Sequence, residues 1–521
     1  MNLSNLISYS NIKLMIRSLY PNEKATIICD ILKESLLIVN NSLYVLQPNM
    51  TYIKSTTEIK LIIQKYTTQL LENSFKDIPA KKQIKLSEEK GFKSMFSNKT
   101  SSLDLYPQIF IGLQNNNIIF DHTLCEIHFN NGFYNLNTKC LEQRVLHKHY
   151  VTKFIERDYV PSTEDQQNQL LTHIHKVYPE QDLKSILLIL GSALSGKSSL
   201  DQELLFLLGK GSTEKSMTMQ LTKATIGPYY CELQSNTFSM GNTKIDKILN
   251  SFISNPQIRI TCINEMEDKK IDGSLFKSFC DSHLTTTELY KDGQKEFDHY
   301  SKLIFTSNSM INVQIDTGIS RRFKGYTHGS TFTHDKESVD EDKRIYLLDK
   351  DIIRHLTENS LLDAWFDILA NKCNSWLNGE KLSFNANFQE TKSTVLSSND
   401  IYQDFIDSKL IFTKSPTDRI GNNAMYDAFA AMYPTKHMTV LQVINTLKEK
   451  DISYSQKERC DKIQGCFSFV KFSNNVECDD DDDEEEKVSP LDHGTTNINY
   501  KEEYYRLIKR VEELEKLLPN K

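Results

Sequence analysis

Ser185-Ile-Leu-Leu-Ile-Leu-Gly-Ser-Ala-Leu-Ser-Gly-Lys-Ser-Ser-Leu200 is the stretch on which a reading of the chain turns. Ile186 to Leu190 are five consecutive apolar residues between Ser185 and Gly191, the length and content of a strand buried on both faces of a parallel sheet. Gly191-x-x-x-x-Gly196-Lys197-Ser198 then has the spacing of a phosphate-binding loop. Its glycines let backbone N–H groups curl inward, Lys197 reaches the β/γ-phosphates, and the Ser198 hydroxyl ligates Mg²⁺. The expected ATP-binding set is therefore Gly191, Ser192, Ala193, Leu194, Ser195, Gly196, Lys197, Ser198 and Ser199. Ser198 to Leu208 reads as the helix whose N-terminus completes the anion site.

Further apolar runs end in polar residues suited to such a site. Ile258-Arg-Ile-Thr-Cys-Ile263 leads to Asn264-Glu265-Met-Glu267-Asp268, where a carboxylate can hold the Mg²⁺ water shell and activate an attacking water. Metal ligation is expected from Ser198, Glu265 and Glu267, and catalysis from Lys197 and Glu265. Lys302-Leu-Ile-Phe-Thr-Ser-Asn308 ends in an amide that would sense the γ-phosphate. Ser320-Arg321-Arg322-Phe323 offers two guanidiniums, always charged and planar, for a neighbouring subunit's phosphate. Between these strands, Tyr290-Lys-Asp-Gly-Gln-Lys295 has the residues of a hairpin tip, and Lys291, Lys295 and His299 would follow a nucleic-acid backbone.

Composition sets the frame around this core. The 521 residues are 39% hydrophobic and 25% charged, too many for one core, and contain no apolar run of about 18 residues that would span a membrane. Met1-Asn-Leu-Ser-Asn-Leu-Ile-Ser lacks a basic segment followed by an apolar block, so a secretory signal is not expected. Ten scattered cysteines with no C-x-x-C pair read as reduced thiols of an intracellular protein, in host cytoplasm or nucleus, not as a zinc site. Eight negative charges of the net -7 lie in the run Asp479 to Glu486, so the remainder carries +1 and nucleic acid stays open as a partner.

Domain limits follow from the pattern. Residues 1–162 read as an N-terminal α+β unit, with helices near Leu3 to Tyr20 and Glu58 to Phe75 and strands near Leu37 to Leu46, Asn116 to Phe120 and Cys125 to Phe129. No strand there carries the paired carboxylates of a two-metal polymerase or primase. The ATPase is expected over 168–380, closed by a helical lid from Asp349 to Leu377. Three helices and a hairpin over 395–473 fit a winged helix, with Lys457, Arg459 and Lys462 on its wing. An acidic linker, 477–498, leads to a short seam over 499–518 in which Tyr500, Tyr504, Leu507, Val511, Leu514 and Leu518 recur at heptad steps.

In order and spacing these motifs resemble those of a superfamily 3 helicase, and more narrowly the helicase half of the poxvirus-type primase-helicase of large DNA viruses, their satellite viruses and some plasmids. The resemblance also takes in Phe129-Asn-Asn-Gly-Phe-Tyr-Asn-Leu-Asn137 and Arg157-Asp-Tyr-Val-Pro161, which are similar to the helicase-associated domain preceding such ATPases. It implies an α/β fold with an AAA+-like P-loop core, a parallel sheet flanked by helices. It further implies a homo-hexamer that hydrolyses ATP with Mg²⁺ to move on single-stranded or forked DNA, alongside a separate primase or polymerase. Lys197, Glu265, Asn308, Arg321 and Arg322 would be catalytic, the two arginines in trans. Asn264 stands where many members have an acid, and Thr287 where the hairpin motif is often basic. A ring ATPase for genome uncoating or packaging, and an inactive nucleic-acid scaffold, are the competing readings.

Overall fold

The computed structural model describes residues 6–473 except 19, 97–100, 212, 240–241, 243, 266–270, 288–293, 309–316, 350, 400, 435–437, 451 and 461–462. The acidic linker and the heptad seam lie outside the described residues, as do Glu267 and Lys291.

At the centre is a five-stranded parallel sheet: β1 (Leu204–Leu208), β2 (Tyr230–Leu233), β3 (Ile260–Asn264), β4 (Lys302–Ser307) and β5 (Phe323–Thr327), in the order β5-β1-β4-β3-β2. Both β1 and β4 are buried along their whole length, which is why they read as unbroken apolar runs. Alternation divides their side chains between two cores. Leu204, Phe206 and Leu208 face one side, where Phe206 stacks on Phe305 at 4.5 Å and on Phe323 at 4.7 Å. Leu205 and Leu207 face the other, with Ile304 and Tyr326. The helices that position the site are α1 (Glu180–Leu194), α2 (Lys215–Ile226), α3 (Gly273–Cys280), α4 (Thr317–Arg322) and α5 (Asn359–Leu377).

The expected strand at Ile186–Leu190 is the middle of α1. Pro179 stands just before the first turn, Glu180 and Asp182 supply acids there, and every residue from Leu183 to Leu194 except Lys184 is buried. A helix enclosed on all sides is apolar on all sides, so its sequence has the same appearance as a doubly buried strand. Nor is Ser198 to Leu208 a helix: Ser198–Leu200 is one 3₁₀ turn and Leu204–Leu208 is the central strand itself.

Around this layer sit smaller units. Helices between Tyr9 and Leu113 enclose their own core with the antiparallel strands Leu36–Val39, Ser42–Leu46 and Tyr52–Lys54. Asn116 to Phe120, expected as a strand, is turn-like; the Phe120 ring packs 4.2 Å from Tyr44 and 5.7 Å from Tyr52. A second antiparallel sheet, Glu126–Phe129, Gly132–Asn135 and Cys140–Glu142, shares its core with α1 and α5. The Arg157-to-Pro161 segment straps it to α5. There Arg157 pairs with Asp363, the Tyr159 hydroxyl donates to Asp367 at 2.6 Å, and the Ser162 hydroxyl donates to Asp367 at 2.6 Å.

The C-terminal unit has helices Ile401–Lys409, Asn422–Met432 and Val440–Glu449 with strands Leu410–Phe412, Arg419–Gly421, Tyr454–Cys460, Ile463–Ser468 and Val470–Phe472 around a separate core. Among the described residues, no helix is long and apolar enough to cross a membrane.

Candidate nucleotide site

Gly191 and Gly196, expected to bend a phosphate loop, serve the packing of α1. A Cβ on Gly191 would lie 2.7 Å from the Leu369 carbonyl oxygen and 2.9 Å from the Cys373 nitrogen, both backbone atoms of α5. Gly196 has φ 71° one residue past the C-cap Ser195, the left-handed position at which helices commonly end. Local bonds also occupy the amides: Ser195 N donates to Ser192 O, Gly196 N to Ala193 O and Lys197 N to Ser195 Oγ. Ser192, Ala193 and Leu194 are buried, and the Ser198 hydroxyl is 3.0 Å from that of Ser282 in the interior. Residues 191–198 thus present no phosphate cradle and no free metal-ligating hydroxyl, which corrects the expected set, Ser199 on the adjoining 3₁₀ turn included.

A loop of the required kind follows β1. Gly209-Lys210-Gly211-Ser212-Thr213-Glu214-Lys215-Ser216 joins the central strand to the first turn of α2, the strand-loop-helix connection of a phosphate loop. Glu214 stands where the motif has its second glycine, and its φ of 51° is the left-handed conformation glycine adopts freely. That one residue hides the loop from a search for Gly-x-x-x-x-Gly-Lys-Ser. The signal that remained was Leu204-Leu-Phe-Leu-Leu-Gly-Lys-Gly followed by Lys215-Ser216.

The first turn of α2 is not capped by a side chain, so its N–H groups are open to an anion. The buried Lys215 ammonium donates to Gly209 O at 3.0 Å and to the Asn308 side-chain oxygen. Burial lowers its pKa, against which the Glu265 charge acts. Glu265, exposed at the end of β3, has a φ of 50°. Asn308 follows β4, which lies between β1 and β3. Three parallel strands thus deliver an ammonium, an amide and a carboxylate to their C-terminal edge, where ligands bind in open α/β sheets. Asn264 is turned aside: it accepts from Thr306 at 3.1 Å and donates to Glu232, itself held by Lys223 at 2.6 Å.

Glu214 pairs with nothing in return for its strained backbone. Both carboxylate oxygens are buried without a hydrogen bond, and burial, with Asp349 second, pushes the group up to about 7. His328 grips the loop's start from β5, its N–H and Nδ1 reaching Leu208 O at 2.8 and 3.0 Å.

Arg321 and Arg322 end α4, at the N-terminal end of β5 and so at the opposite edge of the sheet from the loop. Arg322 is buried and committed within the protomer, to Asp281 at 2.5 Å and Gly318 O at 2.9 Å, which removes it as a group for a neighbour's phosphate. Arg321 is exposed and reaches Gln202 at 2.6 Å.

Strands His283–Thr287 and Gln294–Asp298 form the expected hairpin, with Lys295 exposed opposite Thr286. His299 is corrected: its ring is buried, bonded through Nε2 to Phe279 O at 2.8 Å, and cannot touch DNA. Burial pushes His299 down to about 4, as it does His128 and His328. The unfolded chain binds these protons near pH 6.5 and the folded chain near 4, so each histidine's contribution is full above 6.5 and lost as pH falls towards 4. The loss is on the order of 1–3 kcal/mol per histidine. Glu214 acts oppositely between about 7 and its unfolded value of 4.5, so the histidine part is read by difference. His299→Gln, which can still donate to Phe279 O, is expected to lose less Tm than the parent between pH 6.5 and 4. Parallel melting curves for the two proteins would refute this.

No family model matches the chain, and no curated protein matches it. Among solved structures, it is similar to the C-terminal region of NrS-1. An apo structure of that region (residues 305–718) is 11% identical, with 84% of this chain and 96% of that one covered and a TM-score of 0.39. An A-form apo structure of the same residues is 13% identical, with 60% and 77% covered and a TM-score of 0.36.

Proposed function

We propose that the chain is a nucleoside triphosphate hydrolase whose phosphate site is Gly209–Ser216, and that hydrolysis drives strand separation of DNA in replication, as the sequence motifs imply. The observation that carries the hydrolase reading is the contact of Lys215 with Asn308 across adjacent strands, with Glu265 close enough to act on the same ammonium. ATP entering this edge would exchange the Lys215 bonds to Gly209 O and Asn308 for β/γ-phosphate oxygens, while the α2 amides meet the phosphates head-on. Asn308, released, would orient water, and Glu265 would take its proton.

The donors suit Mg²⁺: the exposed Ser216 hydroxyl on the first turn of α2 and the Glu265 carboxylate are hard oxygen ligands. When bound, the ion neutralises charge developing on the phosphates. Arg321 lies on the wrong edge to serve its own loop. This supports a ring, a hexamer in the motif-based reading, in which it meets the next protomer's nucleotide.

Glu265→Gln keeps the side chain's size and removes its basicity. Nucleotide affinity is expected to stay within about threefold while turnover falls at least about 100-fold. Full turnover in this variant would dismiss Glu265 as the base. An unwinding assay on forked DNA with the parent protein separates a helicase from a ring ATPase that leaves duplexes intact.

A further inference from the structure

Three large apolar side chains stand exposed together on the C-terminal unit. Ile411 is 42% exposed and Phe412 58%, both on the strand Leu410–Phe412; Phe469, 40% exposed, accepts from Thr413 N at 2.8 Å just beyond that strand. Phe469 has a φ of 62°. A bulky residue in the left-handed region is strained, and glycine or asparagine would make the same bend at lower cost. Such strain is retained where the side chain gains something by its position, yet within the described residues this ring is left facing outward.

The chain runs from this patch to a segment in need of one. Strand Val470–Phe472 pairs directly with Leu410–Phe412, Phe412 lying opposite Val470, and is the last described element. From there 26 residues, 474–499, lead to the seam of Tyr500, Tyr504, Leu507, Val511, Leu514 and Leu518. Three heptads are too short to hold a helix in water unaided. A flexible tether of that length has a root-mean-square span of about 28 Å, which presents the seam to the patch at roughly millimolar effective concentration. Self-association through the same seam would have to occur at the far lower concentration of the protein itself.

We infer that the 499–518 segment folds as a helix onto the patch formed by Ile411, Phe412 and Phe469 of its own chain. The docked helix covers the strained aromatic ring and holds the Asp479-to-Glu486 run close to the C-terminal unit.

The test uses the full-length protein with Phe412→benzoylphenylalanine, irradiated at low micromolar concentration as a mixture of light and ¹⁵N-labelled chains. The expected product joins position 412 to a peptide within 499–518 of the same isotope. Adducts of mixed isotope would show that a second copy covers the patch, and absence of any adduct to 499–518 would show that the segment docks elsewhere; either overturns the inference. Ile411→Lys combined with Phe412→Lys gives an independent reading by hydrogen exchange. Amides 503–516 are expected to lose about tenfold protection or more while those of the Asn422–Met432 helix keep theirs. Unchanged exchange over 503–516 overturns the inference as well.

Discussion

Lys215→Ala should reduce nucleotide turnover by about 100- to 1,000-fold, whereas Lys197→Ala should leave it within about threefold. Both lysines precede a serine, and both lie in a Gly-containing stretch after five apolar residues. What separates them is the element in front. Lys197 follows a helix whose end is closed by its own hydrogen bonds, while Lys215 opens a helix at the C-terminal edge of the sheet with its ammonium on Asn308. Removing a positive charge preorganised for a transferring phosphoryl group costs transition-state stabilisation directly. Removing Lys197 costs no more than an ordinary peripheral substitution. Steady-state phosphate release by the two variants decides the matter, and the reverse ranking would return the site to residues 191–198.

The second large effect is expected at Gly191. In an exposed helix, Gly→Ala stabilises by about 1 kcal/mol, because alanine loses less backbone freedom on folding. Here the added methyl would meet two backbone atoms of α5 at 2.7 and 2.9 Å, and backbone cannot swing away as a side-chain tip can. Overpacking of this kind costs about 1–3 kcal/mol and more where neither partner can yield, so the steric cost outweighs the propensity gain. Gly191→Ala should therefore lower Tm by several degrees, and Gly191→Val by more, with nucleotide affinity of the folded protein unchanged. A Tm that holds while affinity collapses would identify Gly191 as part of a phosphate loop after all.

The two lysines show where local pattern stops being decisive. A five-residue apolar run is compatible with burial on two faces of a strand or on all sides of a helix, because the solvent is absent in both cases. Ile186–Leu190 and Leu204–Leu208 satisfy that description equally, and the complete Gly-x-x-x-x-Gly-Lys-Ser match beside the first favoured the wrong one. The true loop was concealed by Glu214, held in a left-handed conformation that only the surrounding structure can impose.

Other features were legible without the fold. Ile260–Asn264 and Lys302–Ser307 are strands within two residues of where their β-branched and aromatic content places them, so Glu265 and Asn308 emerge at strand ends as their positions imply. The hairpin around Gly293 has the expected pairing. Residue type could not distinguish Arg321 from Arg322, adjacent and identical, because only the position of Asp281 draws the second inward. His299 has the same polar appearance in sequence as an exposed base contact, and the Phe279 carbonyl makes it a core residue.

By itself, then, the sequence determined which segments had to be buried and which polar groups had to stand at their ends, since both depend on the order of side chains along a strand. Which glycines bend a loop and which admit a neighbouring helix was decided only in three dimensions. The same holds for which lysine faces the carboxylate and which arginine remains at the surface. Each of those outcomes depends on atoms more than 40 residues away in the chain.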